Sequence, residues 1–161
     1  MCDYCGCRLQ PAIDELAEEH ERLLDLVYGL RRTADRGEHA QVVLTLEERV
    51  APLLREHAAK EEQGLFAQLR AAWEADDRLD ALVAEHRDLE DVLAAALAGG
   101  AGWAASVHRL ADELTEHIFD EETDLFPYAL YELAPDQWEQ VEAVHEAARR
   151  RAPATVPAGR G

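Results

Sequence analysis

Two thirteen-residue stretches of this chain repeat one pattern of leucine, histidine and glutamate. They are LREHAAKEEQGLF, residues 54–66, and LTEHIFDEETDLF, residues 114–126, which share their Leu, Glu-His, Glu-Glu and Leu-Phe positions. Each contains a histidine followed four residues later by a glutamate. Because four residues make about one helical turn, each pair projects from the same side of a helix. The repeat therefore predicts two equivalent helices, each with a His-Glu pair on one face.

A weaker repeat adds one further histidine to each half of the chain. Glu19-His20 and Glu85-His86 have leucine and aspartate at matching offsets: Leu16, Leu23 and Asp25 in the first half, Leu82, Leu89 and Asp91 in the second. Each half thus supplies one helix with a lone histidine and one helix with His-x-x-x-Glu. The leucines on or beside the His-Glu stripes, Leu53, Leu54, Leu65, Leu114 and Leu125, indicate that these stripes face the core.

Glycine and proline separate long runs of helix-forming residues, and nothing resembles an alternating, β-branched strand. We therefore expect an all-α fold. The predicted helices are Pro11–Asp35, His39–Trp73, Asp77–Ala98, Trp103–Leu133 and a short fifth helix, Ala134–Arg151. Short connections make neighbouring helices antiparallel, so the first four should form an up-down-up-down four-helix bundle with the fifth helix across it.

The chain length fits one ordinary domain. We assign residues 1–10 to a cysteine-rich segment, residues 11–133 to the bundle, residues 134–151 to the fifth helix and residues 152–161 to a disordered tail. Pro52 and Gly64 fall inside the second helix and predict either a kink or a later start there.

The stripes bring six titratable side chains into the interior: His20, His57, Glu61, His86, His117 and Glu121. A single inward histidine is usually a hydrogen-bonded core residue. Burying all of these groups together without a cation would cost several kcal/mol per unpaired charge, whereas a domain is stable by only about 5–15 kcal/mol. Mutual His–Glu ion pairs are one alternative. A pair of bound dications is the interpretation that the twofold repeat favours.

Imidazole nitrogen and carboxylate oxygen suit iron, zinc, manganese or copper. Two glutamates for four histidines favour a dinuclear centre in which Glu61 and Glu121 bridge both ions and two histidines bind each ion. With one solvent-derived bridge, each ion retains one open or water-filled position.

This set of residues resembles the hemerythrin-like HHE cation-binding family, whose pattern is H…HxxxE…H…HxxxE. The resemblance covers about residues 13–133, matches all six ligand positions in order, and includes the Glu-Glu-x-x-Leu-Phe-Pro ending at residues 121–127. It implies a four-helix bundle with two oxo- or hydroxo-bridged non-haem iron ions that meet O2, peroxide or nitric oxide. It also implies that Leu54 and Leu114, one turn before the ligating histidines, line the pocket for a diatomic molecule.

The sequence differs at one position from the oxygen-carrying hemerythrins. Those proteins have a fifth ligating histidine one turn from the counterpart of His86, where this chain has Leu82 or Glu90. The sixth position on one iron is therefore not blocked by imidazole. Two exchangeable positions favour redox turnover, such as catalase-like peroxide disproportionation or nitric oxide reduction, over reversible oxygen carriage. Tyr28, Glu62 and Glu122 are the alternative donors for the missing ligand.

The other histidines are expected to have no part in the centre. His108 lies nine residues before His117, on the opposite helix face, and His39 and His145 are expected to be structural or solvated. Glu56 and Glu116, next to the ligating histidines, are either acceptors for their rings or part of a solvated face.

Three cysteines, Cys2, Cys5 and Cys7, all lie in the first seven residues. They fit a redox-active dithiol or a separate thiolate site for zinc or iron, against the alternative of a tail with free thiols.

A formal charge of -18 argues against nucleic acid and anionic membrane as partners. No segment has the roughly twenty apolar residues that cross a bilayer, and no basic-then-apolar signal begins the chain, so we expect a cytoplasmic protein, either monomer or homodimer.

Three function classes remain: an enzyme of oxidative or nitrosative stress defence, a protein that binds or stores O2 or iron, and a sensor of iron, oxygen or redox state. The first is favoured, and its redox partner is not indicated.

Overall fold

The computed structural model describes residues 7–72 and 77–151, and within these ranges it contains helices and no strand. A short 3-10 turn, Cys7–Leu9, precedes five long helices: α1 (Pro11–Asp35), α2 (residues 39–72), α3 (Asp77–Ala98), α4 (residues 103–132) and α5 (Pro135–Arg151). The all-α prediction is confirmed. Trp73, at which α2 was predicted to end, and the predicted tail lie outside the described residues. No described helix is both long and apolar enough to span a membrane.

Proline and glycine set the helix ends as the sequence predicts. Pro11 is the first residue of α1, where its missing N–H costs no helical hydrogen bond. Gly37 follows α1 with φ of 73°, and its N–H donates to the carbonyl of Ala34 at 2.8 Å. Gly99 and Gly100, between α3 and α4, have φ of 75° and 88°. A side chain disfavours this left-handed backbone, so glycine allows these two tight connections.

The second helix continues without a break through Pro52 and Gly64, but its pitch changes twice. Two wider π turns, Leu46–Val50 and Glu61–Leu65, interrupt the α-helical segments His39–Thr45, Ala51–Lys60 and Phe66–Ala72. The predicted later start is therefore wrong. Pro52 falls at the beginning of the segment after the first π turn, where the altered pitch accommodates its ring. Gly64 lies within the second π turn.

The same π turn occurs in α4, at Glu121–Leu125, between the α-helical segments Trp103–Asp120 and Phe126–Glu132. This π turn and the one at Glu61–Leu65 both begin at the glutamate of a His-x-x-x-Glu pair. The sequence repeat is thus also a repeat of backbone geometry, and π turns of this kind are frequent at functional sites.

Two buried apolar clusters lie at opposite ends of the bundle. The first includes Leu23, Leu30, Val50, Leu93 and Leu110. The second includes Leu16, Leu69, Leu79, Leu125 and Val141. Along α1 and α3 the second cluster comes before the first, whereas along α2 and α4 the order reverses. This reversal gives the predicted up-down-up-down arrangement. On α1, α2 and α3 the predicted ligands fall between the two clusters, and on α4 they lie where the clusters meet, on either side of Ile118.

The fifth helix packs against α1 and α2 at the end of the bundle that holds the second cluster. Trp138 and Val141 on α5 belong to that cluster. A Cβ atom placed on Gly64 of α2 would lie 3.5 Å from a methyl carbon of Val141, so α5 approaches α2 closely at its second π turn.

Substitution of Leu110 by alanine tests the cluster that lies away from α5. Leu110 is fully buried, and the lost contacts and the cavity should lower the free energy of unfolding by about 2–5 kcal/mol. Tyr131→Ala is the control, because Tyr131 is 85% exposed and should change the free energy by less than about 0.5 kcal/mol. Urea titrations of the two variants measure the difference, and equal midpoints would contradict the assigned core.

Candidate metal centre

Four helices bring the six predicted ligands into one buried layer. His20 comes from α1, His57 and Glu61 from α2, His86 from α3, and His117 and Glu121 from α4, and each of these residues is at most 4% exposed. They form two groups in which the possible ligand atoms lie within 4.8 Å of one another. One group is His20, His57, Glu61 and Glu121, and the other is Glu61, His86, His117 and Glu121. Both glutamates are therefore shared.

The two shared carboxylates each direct one oxygen to each group. Oε1 of Glu61 lies 3.3 Å from Nε2 of His57, and its Oε2 lies 3.3 Å from Nε2 of His86. Oε2 of Glu121 lies 3.2 Å from Nε2 of His20, and its Oε1 lies 3.4 Å from Nε2 of His117. Each of these carboxylates could therefore offer one oxygen to a cation in either group.

Most of the inward-facing atoms have no hydrogen-bond partner. All four carboxylate oxygens of Glu61 and Glu121 are buried without one, and so are Nε2 of His86 and of His117. In the other group, Nε2 of His20 and Nε2 of His57 lie 2.9 Å apart. Buried polar atoms normally have a partner. These oxygen and nitrogen atoms could therefore all act as ligands to a cation bound among them.

The outward ring nitrogen of every one of these histidines meets a carboxylate. The Nδ1 atoms of His20, His57, His86 and His117 lie 3.1, 3.0, 2.8 and 2.7 Å from Glu122, Glu19, Glu62 and Glu85, respectively. Because a carboxylate only accepts, each Nδ1 carries the proton and donates it. In its neutral form, each ring would then present the Nε2 lone pair to the centre, as a metal-binding imidazole must.

These four outer carboxylates were missed or misassigned at the level of sequence. Glu56 instead lies 3.3 Å from Lys60, and Glu116 is exposed. Glu62 and Glu122, two of the three alternative donors for the missing ligand, instead contact the outer Nδ1 atoms of His86 and His20. The signal was present in the repeat, since the Glu-His and Glu-Glu dipeptides recur in both halves. What the sequence does not show is that each acceptor serves a histidine on a neighbouring helix.

The electrostatics of the layer favour positive charge. Burial lowers the pKa of His57, but Glu61, Glu19 and Glu121 outweigh burial and raise the pKa to about 10. Burial also lowers the pKa of His86, but the carboxylates of Glu61, Glu121 and Glu62 outweigh burial and raise the pKa to about 9. Burial raises the pKa of Glu61, yet the nearby imidazoles hold it well below its usual range. A bound dication would supply, in place of ring protons, the positive charge that this layer attracts.

Two phenylalanines hold rings of the layer from the side of the second apolar cluster. Phe126 stacks on His20 with a centroid distance of 5.6 Å, and Phe66 stacks on His86 at 5.9 Å, with the rings within 5° of parallel in both pairs. Both are the last residue of a repeated stretch. In both halves of the repeat, the closing phenylalanine thus covers one face of a buried histidine ring.

The remaining sequence candidates lie outside the layer. Tyr28 is 39% exposed, and its hydroxyl lies 3.1 Å from Oγ1 of Thr115, so it is not a ligand in this structure. His108 pairs with Asp35 at 3.0 Å, His39 packs on Trp103, and His145 is bonded to Glu15.

The structure describes both leucines of the predicted small-molecule pocket but only one of the three cysteines. Leu54 and Leu114 are both buried in the first apolar cluster, and Leu54 also lines a cavity of about 260 Å³ that borders His86. Cys2 and Cys5 lie outside the described residues, and Cys7 begins the 3-10 turn. The thiolate site therefore stays a prediction.

A family model, described as the hemerythrin HHE cation binding domain, matches residues 12–129. This range contains all six residues of the layer and ends before α5. Comparison with curated proteins and with solved structures finds no match. The family match supports binding of a metal cation, and the two groups of buried histidines and glutamates could hold one.

Removal of metal should destabilise the fold. At a free metal concentration one hundred times the dissociation constant, binding stabilises the folded chain by about 2.7 kcal/mol, and each kcal/mol shifts the melting temperature by about 2–4 °C for a chain of this size. Thermal melts followed by circular dichroism, with and without a chelator, measure the shift. In Glu61→Gln the shift should shrink, and in Glu47→Gln, an exposed site on the same helix, it should not. Equal melting temperatures with and without the chelator would contradict a metal-dependent core.

Proposed function

Because this chain belongs to the hemerythrin HHE cation binding domain family, we propose that its buried layer holds two non-haem iron ions that react with O2, peroxide or nitric oxide. We propose further that this reaction serves oxidative or nitrosative stress defence. The observation that carries the dinuclear assignment is the position of Glu61 and Glu121, each of which directs one oxygen to each group.

The donor set agrees with iron in number and kind. Four imidazole nitrogens and two carboxylates suit a borderline divalent ion, and the family resemblance favours iron among those that such donors accept. His20 and His57 would bind one ion, and His86 and His117 the other. Iron in this layer would supply one- and two-electron redox chemistry toward O2, peroxide or nitric oxide.

The protein contributes orientation and exclusion of water. Glu19, Glu62, Glu85 and Glu122 hold the four rings so that Nε2 faces inward. Phe66 and Phe126 cover two of the rings. The cavity at Leu54 and His86 is an approach by which a small molecule could reach the layer from solvent.

Redox turnover is favoured over reversible carriage because a fifth histidine is lacking. At the two positions where that histidine would lie, Leu82 is buried in the second apolar cluster and Glu90 is exposed. Neither side chain would replace the imidazole, so an ion held by His86 and His117 would keep a position for an exchangeable molecule. A centre with exchangeable positions can bind and convert peroxide as well as hold it.

Iron analysis and peroxide consumption test the proposal together. We expect about two iron ions per chain and release of O2 from added peroxide, with two peroxide molecules giving one O2 and two waters. Glu121→Gln should lower both iron content and peroxide consumption, the latter by at least about tenfold, because it removes a shared ligand. Glu47→Gln is the matched control and should retain both.

Two results would count against parts of this proposal. A chain that takes up zinc but not iron would contradict the redox function. A stable, fully reversible O2 complex without consumption of peroxide would contradict turnover and favour an oxygen-binding protein.

A further inference from the structure

Lys60 is the only lysine of the chain, and it is buried beside the layer of histidines and glutamates. Its side chain is 2% exposed, although a lysine is almost never fully buried unless it is paired. Its Nζ atom lies 2.5 Å from Glu19, 2.9 Å from Glu15 and 3.3 Å from Glu56. One ammonium group is thus surrounded by three carboxylates.

A single residue, Glu19, connects the Lys60 ammonium to the proposed ligand His57 through hydrogen bonds. Glu19 accepts from Lys60 through Oε1 and from Nδ1 of His57 through Oε2. Glu15, on the other side of the ammonium, is bonded to His145 and Arg149 of α5. The network therefore runs from α5 through Lys60 to the ring of His57, and it fixes Glu19 from both ends.

The other half of the layer has no equivalent of this arrangement among the described residues. In the repeat, the counterpart of Lys60 is Asp120, which is exposed. The counterpart of Glu19 is Glu85, whose side chain is 43% exposed, against 6% for Glu19. An exposed carboxylate exchanges its partners with water, so the ring of His117 is held less firmly than the ring of His57.

The second pair of outer carboxylates differs in the same direction. Glu122, which accepts from His20, is 12% exposed, whereas Glu62, which accepts from His86, is 38% exposed. His117 and His86 also border cavities of about 180 Å³ and 260 Å³. We call His20 and His57 the closed half of the layer, and His86 and His117 the open half.

We propose that the two metal positions exchange at different rates, and that Lys60 makes the closed half the slowly exchanging one by holding Glu19 against His57. The inference rests on the dinuclear centre proposed above. Lys60 is a positioning residue in this scheme, because it acts on the metal only through Glu19 and His57.

An opposing effect has to be weighed, since a lysine cation also repels a bound dication. That repulsion is offset by Glu15, Glu19 and Glu56, which surround the ammonium with three negative charges. Removing Lys60 would leave Oε1 of the buried Glu19 without its cation, whereas Glu15 would keep Arg149, and a buried unpaired charge draws in water or a proton. The loss of the fixed carboxylate therefore outweighs the relief of repulsion, and release becomes faster.

Cobalt(II) is a suitable probe, because its visible absorption reports binding without any enzymatic activity. The full chain is loaded with Co2+, the bound ions are counted, and loss of absorption is followed after an excess of chelator is added. We expect two bound ions and two phases of similar amplitude, whose rate constants differ by about tenfold or more.

Variants assign the two phases to the two halves. Lys60→Gln should accelerate the slow phase by about tenfold and leave the fast phase within about twofold. Glu85→Gln should alter only the fast phase, because Glu85 contacts His117 of the open half. Asp120→Asn, at the counterpart of Lys60, is the matched control and should leave the slow phase unchanged. Lys60→Arg, which keeps a cation, should restore slow release at least in part.

The outcomes separate this inference from the dinuclear proposal. Fewer than two bound Co2+ ions would overturn the dinuclear centre and this inference with it. Two ions released in one phase would overturn the inference alone, and so would a Lys60→Gln variant that keeps its slow phase. If circular dichroism shows that Lys60→Gln is unfolded, Glu15→Gln takes its place, since it weakens the anchor and keeps Lys60. It should accelerate the slow phase, and an unchanged slow phase there would overturn the role of Lys60.

Discussion

The structure depends on the burial of four imidazoles and two carboxylates in one layer between two apolar clusters. These groups can be removed from water only if their inward atoms find a common partner and their outward atoms are hydrogen-bonded. The outward requirement is met by four glutamates, one for each ring. The inward requirement is met by positive charge, and a metal cation is the form in which this family supplies it. Apolar clusters pack on both sides of the layer.

The network around Lys60 shows how a nearly twofold layer becomes unequal. The six inward residues repeat between the halves, and so do the π turns that begin at Glu61 and Glu121. The helix α5 does not repeat, and it lies on the side where Lys60 and Glu15 are found. A single added helix therefore changes the surroundings of one half of the layer, whereas the outer carboxylates of the other half stay partly exposed.

The sequence predicts the helices and the membership of the inward layer because both depend on local periodicity. A histidine and a glutamate four residues apart share a helix face whatever surrounds them, so His57 and Glu61 could be paired without a structure. The contact of Glu19 with His57 joins α1 to α2, and no periodicity along one helix encodes it. The same holds for the stacking of Phe126 on His20. The π turns also escaped prediction, since their one-residue widening has no distinct pattern of residue types.

The sharing of donors between the two helical hairpins bears on how the chain assembles. Each group takes three of its donors from one hairpin and the fourth from the other: Glu121 completes the group of α1 and α2, and Glu61 completes the group of α3 and α4. Neither hairpin can complete a four-donor group alone. Full coordination of a cation would thus require that the hairpins have already docked. A cation held by donors from both hairpins would join them as a cross-link does, and separation of the two halves of the chain would first require its release.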